Sequence, residues 1–210
     1  MGNILVFCAH SDDEAIGIAG TIAKHIKEKD EVTKIVFSHG ELSLPHLQEK
    51  HVKKTRVLET NTASHILKIR QTIFLGFKDL KLKKEVDNPR LEKMIINLIK
   101  KYKPTKIYCP TSSDPHPDHQ AVNTVILKVV DSLKKKYLVY GYEVWNVTTE
   151  NHPAIYIDIT PFIKKKLAYI KSFKSQWVYM FSLYFPAIAR AKQYGLKNHC
   201  KYAEKIYKLR

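Results

Sequence analysis

Long apolar stretches are missing from this 210-residue sequence, and no run of it approaches the length of a membrane-crossing helix. Cysteine is scarce. Cys8, Cys109 and Cys200 cannot all pair within one chain and none forms a CxxC, so they read as reduced thiols of a cytoplasmic protein. Seven glycines and nine prolines exclude a collagen-like or proline-rich chain. The opening MGNILVFCAHSDDE has no basic flank before its apolar run, so no signal peptide is predicted there. What is present is 44% hydrophobic, too much for wholesale disorder. The length suits one domain, 1–210, with a folded surface of roughly 10,000 Å² from mass scaling.

Negative charge is also in deficit: 36 Lys and Arg against 20 Asp and Glu leave a formal net charge of +16. Residues 161–210 form a basic, aromatic-rich C-terminal portion. Their twelve basic residues face a single acid, Glu204, and six tyrosines are interleaved. Such a stretch suits an anionic substrate or surface, and equally a solvated lysine face. No zinc-finger spacing or RNA-binding aromatic motif accompanies it.

Strand and helix signals alternate. Residues 3–9 (NILVFCA) suit a buried strand. Ser11 and Glu14 have capping-box spacing, which predicts a helix from Ser11 with Ile16, Ile18, Ala19, Ile22, Ala23 and Ile26 on its apolar face. Further strands are expected at 32–37, 72–75, 105–109, 137–145 and 154–159. Helices are expected within 47–67, over 90–102 and 119–133, and after Pro161. Residues 176–210 resist assignment. The alternation predicts a single three-layer α/β/α domain with a mainly parallel, Rossmann-like sheet.

Two polar loops fall at predicted strand ends, where open α/β sheets place their sites. One holds His10, Asp12, Asp13 and Glu14. The other holds Asp114, His116, Asp118 and His119. Each has a simpler reading alone: the acids suit a helix N-terminus, and the second cluster suits local hydrogen bonding in a turn. Together they suit a metal. Two imidazoles and one carboxylate form a zinc site with room for water, and the Asp12–Asp13 pair then holds a carboxylate to spare.

The run Ala9-His10-Ser11-Asp12-Asp13-Glu14 closely resembles the Ala-His-Pro-Asp-Asp-Glu motif of the LmbE/PIG-L-like zinc de-N-acetylases, and His116-Pro117-Asp118-His119 matches their His-Pro-Asp-His motif. Arg56-Val57-Leu58-Glu59 and Phe74-Leu75-Gly76-Phe77-Lys78-Asp79 resemble two weaker substrate-side patterns. The resemblance runs in order through nearly the whole chain. It implies His10, Asp13 and His119 as Zn2+ ligands, and Asp12 as general base. It also implies His116 stabilising an oxyanion, with Asp118 orienting or charging its ring. Arg56 and Asp79 become candidates for contact with substrate. The implied substrate is an N-acetylglucosamine-type sugar or glycoconjugate. A non-sugar N-acyl compound, or a non-catalytic basic nucleic-acid or interaction protein, are the alternatives.

Three positions depart from the family pattern. Ser11 replaces the motif proline. Asp114 stands where some members carry a tyrosine. Phe173 opens Phe173-Lys174-Ser175-Gln176 where many members carry His-x-Ser-Gln. The far side of the pocket is therefore expected to differ, with His199 a candidate to approach it.

Overall fold

Alternate residues of the first strand feed two different cores, as the period-two geometry of a strand requires. In the computed structural model, Ile4, Val6 and Cys8 of β1 (Asn3–Cys8) enter one hydrophobic cluster, while Leu5 and Phe7, followed by Ala9, enter the other. The structure describes residues 1–44, 46–145 and 151–210, without side-chain detail over 178–182. The accessible surface is 10614 Å², close to the value expected from mass.

Among the described residues, seven strands form one sheet in the order β3-β2-β1-β4-β5-β7-β6. β2 (Glu31–Ser38), β3 (Gln71–Phe77), β4 (Lys106–Pro110) and β5 (Leu138–Tyr142) run parallel to β1. β7 (Ala203–Lys208) inserts antiparallel between β5 and the edge strand β6 (Ala154–Asp158). The first cluster packs α1 (Asp13–Gly17), α2 (Ala19–Lys27), α3 (Glu49–Leu67) and α6 (Ile163–Lys171) on one face. The second packs α4 (Pro89–Tyr102) and α5 (Pro117–Ser132) on the other, completing the α/β/α layering. The unassigned C-terminal stretch becomes α7 (Trp177–Lys197) and β7.

This order places the chemistry. From β1 the chain moves outward to β2 and β3, then returns to β1's other side as β4. β1 and β4 are neighbours, with Ile4, Leu5 and Val6 registered on Lys106, Ile107 and Tyr108. The loops leaving their carboxyl ends therefore open into one crevice.

The first helix departs from expectation. It begins at Asp13 rather than Ser11, and Ser11 Oγ is buried without a partner. The capping box fails because Glu14 turns into the core. There it accepts from Lys34 Nζ at 2.6 Å, from Cys8 Sγ at 3.2 Å and from the Tyr169 hydroxyl. A buried carboxylate is held more firmly by a buried ammonium than by one backbone N–H. The helix then breaks at Ile18 and restarts as α2. The basic C-terminal portion is also not wholly a solvated face. Lys166 is buried, with Nζ 2.7 Å from Glu204 Oε1 and 2.7 Å from the Ile16 carbonyl oxygen, and Lys205 pairs with Glu143 at 2.6 Å. Among the described residues, no helix is long and apolar enough to cross a membrane.

Candidate metal and catalytic centre

Asp13 joins the two polar loops. Its Oδ2 accepts the His10 backbone N–H at 2.9 Å, which folds the loop after β1 back on itself. Its Oδ1 lies 3.6 Å from His10 Nδ1 and 3.1 Å from His119 Nε2. The opposite nitrogen of each ring faces further carboxylates. His10 Nε2 is 3.1 Å from Asp79 Oδ1 and 3.4 Å from Asp118 Oδ2, and His119 Nδ1 is 2.8 Å from Asp114 Oδ1. Carboxylates behind imidazoles fix which nitrogen points inward and make that nitrogen a better ligand.

His116 completes the cluster from the N-cap of α5. Its Nδ1 accepts the Asp118 backbone N–H at 3.2 Å, so the neutral ring carries its proton on Nε2. The ring centroids of His10, His116 and His119 lie 4.7 to 5.4 Å apart. One nitrogen from each of these rings can be chosen so that all three lie within 4.8 Å, and the same holds for ligand atoms of His10, Asp79 and Asp118.

Burial would raise the Asp13 carboxyl, but the His119 and His10 rings override it and hold the group well below the usual carboxylate range. Burial would lower His10, but its contacts with Asp118, Asp13 and Asp79 raise it well above an ordinary histidine. His119 is likewise opposed by burial and pushed up to about 9, mainly by Asp13 and Asp114. His116 is lowered by burial and by the two neighbouring rings, which favours its neutral form.

Five carboxylates, from Asp12, Asp13, Asp79, Asp114 and Asp118, surround these rings, and all but Asp12 are buried. They face the Arg56 guanidinium and the raised imidazoles of His10 and His119, so negative charge stays in excess and favours a further cation. Nitrogen and oxygen donors in this number suit a divalent transition metal.

The sequence-level candidates divide. His10, Asp13, His116 and His119 converge; His10, Asp13, His116 and Asp12 line a cavity of about 270 Å³, while His119 is fully buried. Among the described residues no hydrogen bond joins the Asp118 carboxylate to the His116 ring, although its charge acts to raise that ring's pKa. The carboxylate accepts from Leu80 N at 2.8 Å and Leu82 N at 3.2 Å and backs His10, while the Asp118 main chain orients His116. Asp79 lines the cavity, yet its oxygens are occupied by His10 and by Leu42 N at 3.1 Å. Arg56 also lines the cavity. Its Nη2 lies 3.1 Å from Asp12 Oδ1, while Nε and Nη1 are buried without a protein partner. Gly40, at φ +68°, leaves room for that guanidinium, since a Cβ there would stand 3.0 Å from Arg56 Cζ.

Phe173 is not on the cavity wall. It is buried against Tyr169, with ring centroids 5.5 Å apart, and Gln176 and Leu183 line the cavity instead. His199 is not among the described lining residues. The sequence places Asp114 in the second polar cluster but assigns it no individual role, since the tyrosine it replaces in some family members transfers none. Its position two residues before His116 was the available signal. His25 is buried between Asp30 and Tyr108, at 2.8 and 2.9 Å.

Comparison with known proteins bears on family and fold. Residues 5–130 match the family described as PIG-L, GlcNAc-PI de-N-acetylase. A probable N-acetyl-alpha-D-glucosaminyl L-malate deacetylase 2 of Bacillus anthracis is 22% identical, over 83% of this chain and 81% of the relative. The diacetylchitobiose deacetylase of Thermococcus kodakarensis is 23% identical, over 97% of this chain and 81% of its own length. The conserved protein TT1542 from Thermus thermophilus superposes with a TM-score of 0.85 at 22% identity, covering 100% of this chain and 95% of that one, which establishes a shared fold.

Proposed function

The chain belongs to the PIG-L family of GlcNAc-PI de-N-acetylases, and from that premise we propose that it is a zinc-dependent hydrolase removing the acetyl group from an N-acetylglucosamine-type sugar or glycoconjugate. The observation that carries this reading is Asp13 Oδ1 set between two imidazoles from separate loops, with Asp12 beside it on the cavity wall. The cavity, about 270 Å³, is near the low end of small-molecule sites and suits a single sugar unit.

His10, Asp13 and His119 would hold the zinc, which when bound acidifies a water molecule and polarises the amide carbonyl. Asp12 takes the water proton at its carboxylate, in an orientation set by Arg56 Nη2. His116 donates from Nε2 to the developing oxyanion, the place where a fixed donor lowers the barrier most. The proton then passes from Asp12 to the departing nitrogen. Acetate and a free amine result. Asp79, Asp114 and Asp118 hold the ligand rings in register.

Acetate release from a panel of N-acetylated sugars, chitin fragments and inositol-linked glucosamine derivatives tests the reading. Asp12→Asn should lower release by about 10²- to 10⁴-fold with zinc content unchanged. Full activity in a folded Asp12→Asn protein would overturn the assigned base. A non-sugar N-acyl amine is the second reading, favoured by Leu80, Trp145 and Leu183 on the cavity wall. Turnover confined to N-acetylated apolar amines would select it.

A further inference from the structure

Glu59 lies on α3 three residues beyond Arg56, and its carboxylate faces a different element. Oε1 accepts the Ser175 backbone N–H at 2.7 Å, and Oε2 accepts the Ser175 hydroxyl at 2.6 Å. Ser175 sits in the short turn Lys174–Gln176 that leads into α7. A carboxylate spending both oxygens on one residue fixes that residue's backbone as well as its side chain.

The next residue, Gln176, is 3% exposed and lines the same cavity as Asp12 and Arg56. Its Nε2 donates to Ser43 Oγ at 3.1 Å, on the loop after β2, and lies 3.4 Å from Ser175 Oγ. Three separate pieces of chain are therefore tied across one wall of the cavity: α3 through Glu59, the loop after β2 through Ser43, and the start of α7 through Ser175 and Gln176. Buried Phe173, packed on Tyr169, anchors the same turn from the core side.

This arrangement decides what Gln176 can offer. The amide nitrogen is committed to serine hydroxyls, so the carbonyl oxygen Oε1 is the end left to meet a ligand, and it can only accept. On a sugar, the matching group is a hydroxyl donor. We propose that Gln176 is a specificity-determining residue that accepts a hydrogen bond from a pyranose hydroxyl through Oε1. Glu59 is the positioning residue that holds it there through Ser175. The inference rests on the deacetylase reading above and deepens it by naming the group on the sugar that is read.

The test uses the metal-loaded, full-length enzyme. Its substrates are an N-acetylglucosamine glycoside and the 3-, 4- and 6-monodeoxy forms of that glycoside. Wild-type enzyme should disfavour one deoxy form by about tenfold or more in kcat/KM, because a site built around a hydroxyl leaves an acceptor unpaired when it is missing. Gln176→Leu should bring that ratio to within about twofold, raising KM for the full sugar and leaving kcat nearly unchanged. Glu59→Ala should lose the same discrimination at the same hydroxyl, and the milder Glu59→Gln should lose part of it.

A Glu59→Ala enzyme that melts earlier yet keeps the wild-type ratio would reduce Glu59 to a helix-terminus anchor and overturn its positioning role. Unchanged discrimination in Gln176→Leu would overturn the whole inference while leaving deacetylation intact. No turnover of any sugar by wild-type enzyme would overturn the deacetylase reading, and this inference with it.

Discussion

Asp13 Oδ1 lies 3.1 Å from His119 Nε2, although 106 residues separate the two in sequence. The contact exists because β1 and β4 are hydrogen-bonded neighbours whose loops emerge at the same sheet edge. The two groups pair by charge, since Asp13 helps raise the ring to about 9. A divalent cation held by both, as proposed above, would require the ring proton to leave.

Replacing either partner should therefore remove the metal rather than the fold. In His119→Ala and Asp13→Ala, zinc should fall from about one ion per chain to near zero by elemental analysis. The far-ultraviolet circular dichroism should stay that of the wild-type chain. Full zinc occupancy in both variants would refute this ligand set.

Asp118 gives a sharper test, because its carboxylate backs His10 and only its main chain touches His116. Asp118→Asn should weaken zinc affinity by about 10- to 100-fold in a competitive chelator titration. An unchanged affinity with a slower reaction would instead place the carboxylate's effect on His116.

Lys34 is the least expected charge in the molecule. It lies inside the sheet on β2, fully buried, with Nζ 2.6 Å from Glu14 Oε1 and 3.2 Å from both the Ser11 carbonyl oxygen and the Tyr169 hydroxyl. Lys34→Met leaves Glu14 charged and buried, and should cost about 3–5 kcal/mol in urea unfolding. Adding Glu14→Gln should restore roughly half of that loss, since the uncompensated charge goes with it. Equal stabilities for the single and double variants would refute the pairing.

His25 predicts a pH dependence of stability. Burial lowers its pKa below the ordinary histidine value, even though its contact with Asp30 opposes the shift. The unfolded chain therefore takes up a proton near pH 6.5 that the folded ring resists, so stability present above that pH is lost as pH falls toward the folded value. Between pH 7.5 and 5.5 the wild-type melting temperature should drop further than that of His25→Gln. Parallel curves would show that His25 contributes nothing to the slope.

Much of this protein was legible in its residues alone. The apolar runs 3–9 and 105–109, each followed by a His/Asp loop, announced the parallel sheet and supplied the donors for the proposed metal site, because strand period and donor type are local properties. Competition between partners was not local. Ser11 and Glu14 have the spacing of a capping box, but a lysine twenty residues further on took the glutamate, and a burial-driven ion pair has no sequence periodicity to betray it. Nor could sequence show that Asp79 and Asp118 would spend their carboxylates on His10, or that a glutamate on α3 would hold Ser175 while Gln176 beside it bonds Ser43. The chain chose which atoms are able to bind a metal and move a proton. The order of strands in the sheet chose which of them meet, since only packing sets distances between residues a hundred positions apart.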